Sequence, residues 1–348
     1  MSRLLGHLQG NPPRLLHAPG LGRVASIAFS PDGNYLAVAG DSLPYHVDVV
    51  HLIDTKRWAI ARTLPGSPCV CCATAFSADG KLLATAGGHL WIAEHRFTGE
   101  VTVWDVATGA VVRTLHSRGG ALNFAAFSPD GTRFASGDVN IEMWDVDTGA
   151  HVHFPRAGHP GVVTCVAFSP NGKLLASAGH DNSVRLWDVV TGSEAGAFTS
   201  HSGVVSSIVF SPDGRLLASG ASGLLPPIRL WDMATGAVVR TFDGRAVRSV
   251  AFSPDGTSLA AADGDDVRLW DVTTGAEVQT FKGHGSYDEE ARVRNPATGE
   301  KMCTLRHHLG FVKAVAFSPN GRTLASRSVD GLVRLWRVKQ GFARPVLT

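Results

Sequence analysis

Four side chains stand in matching places twice in this sequence: His159, Ser177, Asp181 and Trp187, then His308, Ser326, Asp330 and Trp336. Counted from Phe168 and from Phe317, both sets lie at −9, +9, +13 and +19. Serine, histidine and a carboxylate are the parts of a nucleophilic hydrolase, where the imidazole takes the hydroxyl proton and the acid orients the ring. A catalytic site is needed once, however, and this constellation recurs at fixed spacing. Repetition argues for a structural role, and no catalytic residue is assigned. Metal chemistry has its own candidates. His46, His51, His89, Glu94 and His95 crowd two short stretches, but no pair has a diagnostic spacing such as His-Glu-x-x-His. They read as surface histidines, and neither metal nor cofactor is expected. Phosphate-loop, dinucleotide and kinase signatures are absent from the sequence.

The elements that carry these residues repeat along the chain. A Phe-Ser-Pro-Asp-Gly signature, with small variations, recurs at Phe29, Phe76, Phe127, Phe168, Phe210, Phe252 and Phe317. The middle spacings are 41, 42 and 42 residues; the outer ones are 47, 51 and 65. Each Phe is followed by a strand end: Ile53-Asp54, Trp104-Asp105, Trp144-Asp145, Trp187-Asp188, Trp231-Asp232, Trp270-Asp271 and Trp336-Arg337. The apolar runs between them are too short for helices and are cut by Pro-Asp-Gly and Thr-Gly turns, so each period predicts four short strands. In those turns proline presets φ for the first central residue and glycine takes the left-handed position. Along Ser183–Asp188 the two-residue period puts Val184 and Leu186 on one face, Arg185 and Trp187 on the other.

Composition bounds the function classes. With 44% hydrophobic and 18% charged residues, the chain can build a core and is not disordered. A net charge of +2 leaves no footprint for nucleic acid or anionic lipid. No apolar run is long enough to span a membrane, and the amino terminus lacks the apolar core of a secretory signal. Cys69, Cys71, Cys72, Cys165 and Cys303 form neither a disulfide framework nor a zinc pattern. They read as small hydrophobes in a reducing, cytoplasmic setting.

A period near 40–45, Gly-His opening the unit and Trp-Asp closing its third strand closely resemble the WD40-repeat family. The near-identity of several repeats resembles its bacterial-type members. The resemblance covers roughly 14–338 and implies an all-β, seven-bladed β-propeller of four-stranded antiparallel blades. Residues 1–12 then form an N-terminal arm, 13–340 the propeller and 341–348 a C-terminal tail. Pro13–His17 is expected to supply the outer strand of the last blade and to close the ring; Gly341–Thr348 is the rival for that slot. Residues 285–305 resemble a truncated repeat: Arg294 stands where Trp187 does, and about 18 residues are missing. We expect it to loop out between blades six and seven, a half-blade being the alternative.

The same resemblance implies that each His-Ser-Asp-Trp set is a hydrogen-bond chain linking the strands of a blade, since a buried indole N–H needs an acceptor. Function then falls to loops that depart from the repeat. Insertions at 40–49, 87–100 and 285–300 map to one rim, in an arc from blade six through seven to two. Tyr45, His46, His89, Trp91, Phe97 and Tyr287 in these insertions are the candidate partner-binding residues. The resemblance thus implies a non-enzymatic scaffold for protein partners, as a monomer or a module of a larger assembly. The alternative is a ligand- or metal-binding propeller, with hydrolytic chemistry, that uses the channel or the histidine-rich insertions.

Overall fold

In the computed structural model, the described residues are 14–16, 23–42, 47–65, 70–91, 96–117, 119–120, 122–152, 158–199, 201–223, 226–281, 291–294, 301–305 and 311–338. They form seven four-stranded antiparallel sheets arranged as the blades of a propeller. Blade four runs Val163–Phe168, Leu174–Gly179, Val184–Asp188 and Glu194–Phe198 from the inside outward. Blades one, two, three, five, six and seven repeat it, beginning at Arg23, Val70, Phe124, Val205, Val247 and Val312. The described residues contain no helix, and so none long and apolar enough to cross a membrane.

The expected closure is present. Arg14–Leu16 pairs antiparallel with Val333–Arg337 and completes blade seven, with Leu16 opposite Val333. Each inner strand also lies beside the inner strand of the next blade, and that of blade seven beside that of blade one. Ala291–Arg294 and Lys301–Leu305 pair only with one another, as a separate two-stranded sheet. This hairpin keeps the register shift at Val293/Arg294 that blade five shows at Leu230/Trp231. It thus has the geometry of a third and outer strand without the inner two.

Local chemistry accounts for the strand ends. In the first turn of each blade a serine holds both sides. Ser30 donates to Asp32 at 2.6 Å and accepts from the Tyr35 N–H at 2.9 Å. Gly33 follows at φ 71° and donates to the Ser30 carbonyl. The Asp that closes the third strand caps the next turn: Asp105 accepts from the Thr108 N–H and hydroxyl, and Gly109 turns back at φ 76°. Eleven aspartates, five in the first turn and six closing the third strand, share this arrangement or a close variant, and hydrogen bonds of this kind hold carboxyls such as Asp79 and Asp213 below their ordinary range.

The core lies between blades rather than within them. Seven apolar clusters form, one at each blade boundary. Val184 and Leu186 pack toward blade five, whereas Trp187 packs toward blade three, as the alternation requires. One sheet cannot cover both of its own faces, so the ring is the smallest unit that buries them all.

Candidate interaction face and the buried polar chains

The structure brings the first set of four residues together. Trp187 Nε1 donates to Ser177 Oγ at 2.8 Å, and His159 Nε2 lies 2.8 Å from the same oxygen. His159 Nδ1 is 2.8 Å from Asp181. With the carboxylate accepting at Nδ1, Nε2 is free to accept the Ser177 proton, so every member is satisfied in turn. Ser183 is a fifth member that the spacing did not reveal: its hydroxyl donates to Asp181 at 2.7 Å. Burial works against ionisation of Asp181, but the bonds from Ser183 and His159 outweigh it and hold the carboxyl below its usual range. Ser177 is 0% exposed. Its Oγ is enclosed between indole and imidazole, and no substrate carbonyl reaches it in this arrangement.

Other blades carry partial versions. In blade seven Trp336 donates to Ser326 at 2.6 Å, while His308 lies outside the described residues. Asp330 there engages Arg334 at 2.8 Å, an ion pair in which both side chains are almost wholly buried. In blade five His201 Nε2 is 2.6 Å from Ser219 and Trp231 donates to the same hydroxyl, but Gly223 stands where Asp181 does. Burial, and then the Arg229 charge, push His201 down to about 4. In blade three Ser136 bonds the Phe124 carbonyl instead, and the buried Trp144 Nε1 has no partner. Blade two substitutes threonine, with Trp104 donating to Thr85 at 3.2 Å.

Antiparallel order fixes the two faces of the ring. Connections between second and third strands lie on the upper rim; the Ser-Pro-Asp-Gly and Thr-Gly turns lie on the lower one. Blade two departs most from the repeat. Its middle strands, Leu82–Trp91 and Arg96–Asp105, pair out to Trp91 opposite Arg96. The inner strand follows only to Gly88 and the outer strand only from Glu100. His89, Leu90 and Trp91 therefore lie on a two-stranded extension, opposite Thr98, Phe97 and Arg96.

The base of this extension is pinned. Ser117 N–H donates to the Gly99 carbonyl at 2.9 Å, and Leu122 is 0% exposed beneath it. A Cβ on Gly99 would meet the Gly120 carbonyl oxygen at 2.5 Å and Leu122 at 2.7 Å, so only glycine fits between hairpin and linker. Glu142 of blade three accepts from both the Ser117 hydroxyl and the Gly119 N–H. Tyr45, His46 and Tyr287 lie outside the described residues, as do Glu94 and His95. His51 is buried, with Nδ1 3.0 Å from Thr63. Among the described residues no three His, Cys, Asp or Glu side chains gather as a metal site would.

Against known proteins, the profile "WD domain, G-beta repeat" matches residues 10–43, 152–188, 192–225, 236–271 and 299–337, more than half of the chain. The interval 44–151, which holds the blade-two extension, falls outside these matches. The WD repeat-containing protein SL1-17 of Schistosoma mansoni is 34% identical over 40% of this chain and 44% of its own. WD repeat-containing protein srw1 of Schizosaccharomyces pombe is 28% identical over 72% of this chain and 42% of its own. Anaphase-promoting complex subunit cdc20 of Dictyostelium discoideum is 27% identical over 68% and 44%. The chain thus spans less than half the length of each of these relatives. Seven Phe-anchored blades, the buried His-Ser-Asp-Trp chain and the five profile matches converge, and the chain belongs to the WD40 repeat family.

Proposed function

We propose that this propeller is a non-enzymatic platform that holds protein partners against its upper rim. The observation that carries the reading is the blade-two hairpin. It rises beyond its flanking strands on a base fixed by Gly99, Ser117 and Leu122, and it bears the aromatic residues Trp91 and Phe97 at its end. A ribbon held at its root loses little conformational freedom on binding, which favours affinity. The arc of irregular segments at 40–49, 87–100 and 285–300 supports the same face. A relative named as a subunit of a complex, the Dictyostelium cdc20, is in keeping with a role in assembly.

The test replaces residues 89–98 by an Asn-Gly turn between Gly88 and Gly99, which a two-residue hairpin accommodates. Cross-linked partners captured by the intact chain and by this variant are then compared. Loss of capture with an unchanged melting curve supports the hairpin as the contact. Equal capture by both moves the interface elsewhere on the ring.

A further inference from the structure

Two lower-face positions recur in every blade, so the charge there can be compared blade by blade. The first is the third residue of the Ser-Pro-Asp-Gly turn: Asp32, Asp79, Asp130, Asn171, Asp213, Asp255 and Asn320. The second closes the third strand: Asp54, Asp105, Asp145, Asp188, Asp232, Asp271 and Arg337. Blade seven alone has a carboxylate at neither. It presents exposed Arg337 and, beside it, exposed Arg322, whose carbonyl accepts from the Val338 N–H at 3.0 Å.

The adjoining turn of blade one carries Lys56 and Arg57, both exposed, where blade two has Ala107-Thr108 and blade five Ala234-Thr235. The next residue, Trp58, packs into the cluster that blade one shares with Val333 and Leu335 of blade seven, which holds this turn to the boundary. Nearer the axis, Pro319 Cδ lies 3.6 Å from where a Cβ on Gly33 would stand. Four exposed cations therefore flank the boundary between blade one and blade seven, the blade that Arg14–Leu16 completes. The carboxylates among them face their own turns: Asp32 accepts from Ser30 and Asn34, and Asp54 from the Lys56 and Arg57 N–H groups.

We infer that this basic seam is a second docking surface, which takes an acidic segment of a partner protein. Charge complementarity selects the place. The matching surface of blades five and six carries Asp213, Asp232, Asp255 and Asp271 against Arg215 and repels such a segment. A short acidic segment fits better than a nucleic acid, because the cations span one boundary only and the carboxylates of the other blades' turns would repel a phosphate backbone that continued past it. The seam lies on the face opposite the blade-two hairpin, so the two surfaces can be occupied independently.

The repeats themselves supply a variant that should fold. Arg337→Asp, Lys56→Ala and Arg57→Thr each install a residue that another blade carries at the same place. Fluorescence anisotropy with a labelled oligoglutamate peptide reads the surface, with an oligolysine peptide and a single-stranded oligonucleotide as comparisons. The expected result is oligoglutamate binding that weakens with salt and falls about tenfold in the triple variant, with oligolysine inert. Removing the blade-two hairpin leaves that binding unchanged. No oligoglutamate binding at low salt, or equal affinity of parent and triple variant, overturns the proposal. Oligonucleotide binding that is tighter than peptide binding and lost in the triple variant overturns the choice of polypeptide.

Discussion

Phe198, in the outer strand of blade four, stacks on Trp231 in the third strand of blade five, with ring centroids 4.8 Å apart and planes 17° from parallel. The contact crosses a blade boundary, as do Phe242 with Trp270 and Phe281 with Trp336. Cohesion between neighbours therefore rests on one outer-strand side chain meeting the next blade's tryptophan. We expect Phe198→Ala to cost about 2–4 kcal/mol by loss of this contact and the cavity it leaves. Phe198→Leu should cost less than about 1.5 kcal/mol, because Leu64 and Leu115 fill the same role against Trp104 and Trp144. Urea unfolding of both variants checks the order; equal losses would mean that the aromatic stack itself, and not the volume it fills, carries the contact.

A second inter-blade relation rings the lower face near the axis. Pro31 stands beside Gly80, Pro129 beside Gly172, Pro170 beside Gly214, Pro212 beside Gly256, Pro254 beside Gly321 and Pro319 beside Gly33. The series breaks once, where Ala78 replaces proline and nothing lies within 4 Å of a Cβ position on Gly131. Ala78→Pro should close the gap. The other blades show that this turn accepts proline, so the variant should stabilise by roughly 0.4–1 kcal/mol through the unfolded chain's lost freedom. A denaturant midpoint at or below the parent's would show that the blade-two turn differs from its siblings.

Much of the fold was legible because a period near 42 residues fixes strands, turns and inward faces together. The closing strand at Arg14–Leu16 could be read from the same ruler. Relations between different repeats could not. Nothing in one copy says that its outer-strand Arg240 will reach the Thr273 and Thr274 carbonyls of the next blade's turn. Nor does spacing show that Arg334 joins Asp330 at 2.8 Å while its counterpart Arg185 stays 3.8 Å from Asp181, or that Ser183 joins Asp181 instead. The candidate binding residues were found as departures from the repeat. A departure has no register to inherit, so sequence named these segments without giving their geometry.

Trp58 illustrates a compensation that the sequence concealed. Blade one has Ile53 where other blades have tryptophan, and Trp58 occupies the turn position that elsewhere belongs to glycine. It takes φ 54°, yet its ring packs into the same cluster as Ile53. The indole restores the missing aromatic surface from a neighbouring turn, at a backbone cost of roughly 1–2 kcal/mol. Trp58→Ala should therefore destabilise more than Trp58→Gly, by about 1 kcal/mol, while both fall below the parent. A Trp58→Gly variant more stable than the parent would show that the ring contributes less than the strained backbone takes away.

The buried chain of blade four should behave as structure. Ser177→Ala strands the Trp187 N–H and one face of His159, at a cost of about 1–3 kcal/mol. Ser136→Ala in blade three is the matched control, because Trp144 Nε1 has no partner even with the serine present. Its cost should be the single bond to the Phe124 carbonyl, about 1 kcal/mol. Equal losses from the two changes would remove the argument that the chain of blade four stabilises its tryptophan.

His201 gives the ring a pH dependence of known sign. Unfolded, its imidazole titrates near 6.5; folded, burial and Arg229 bring it to about 4. As pH falls through that window the unfolded chain takes up a proton that the folded chain does not, so stability declines. The loss is on the order of 3 kcal/mol and is complete once pH is below the folded value. The turn aspartates act lower down. Their carboxyls are held below the ordinary range by hydrogen bonds such as Thr108 to Asp105, so their contribution persists above about pH 4 and disappears beneath it. His201→Gln can keep a hydrogen bond to Ser219 while removing the titration. Urea midpoints measured between about pH 7 and 4.5 should decline in the parent and stay nearly flat in the variant. Parallel declines in both would assign the window to other groups and leave His201 without a part in it.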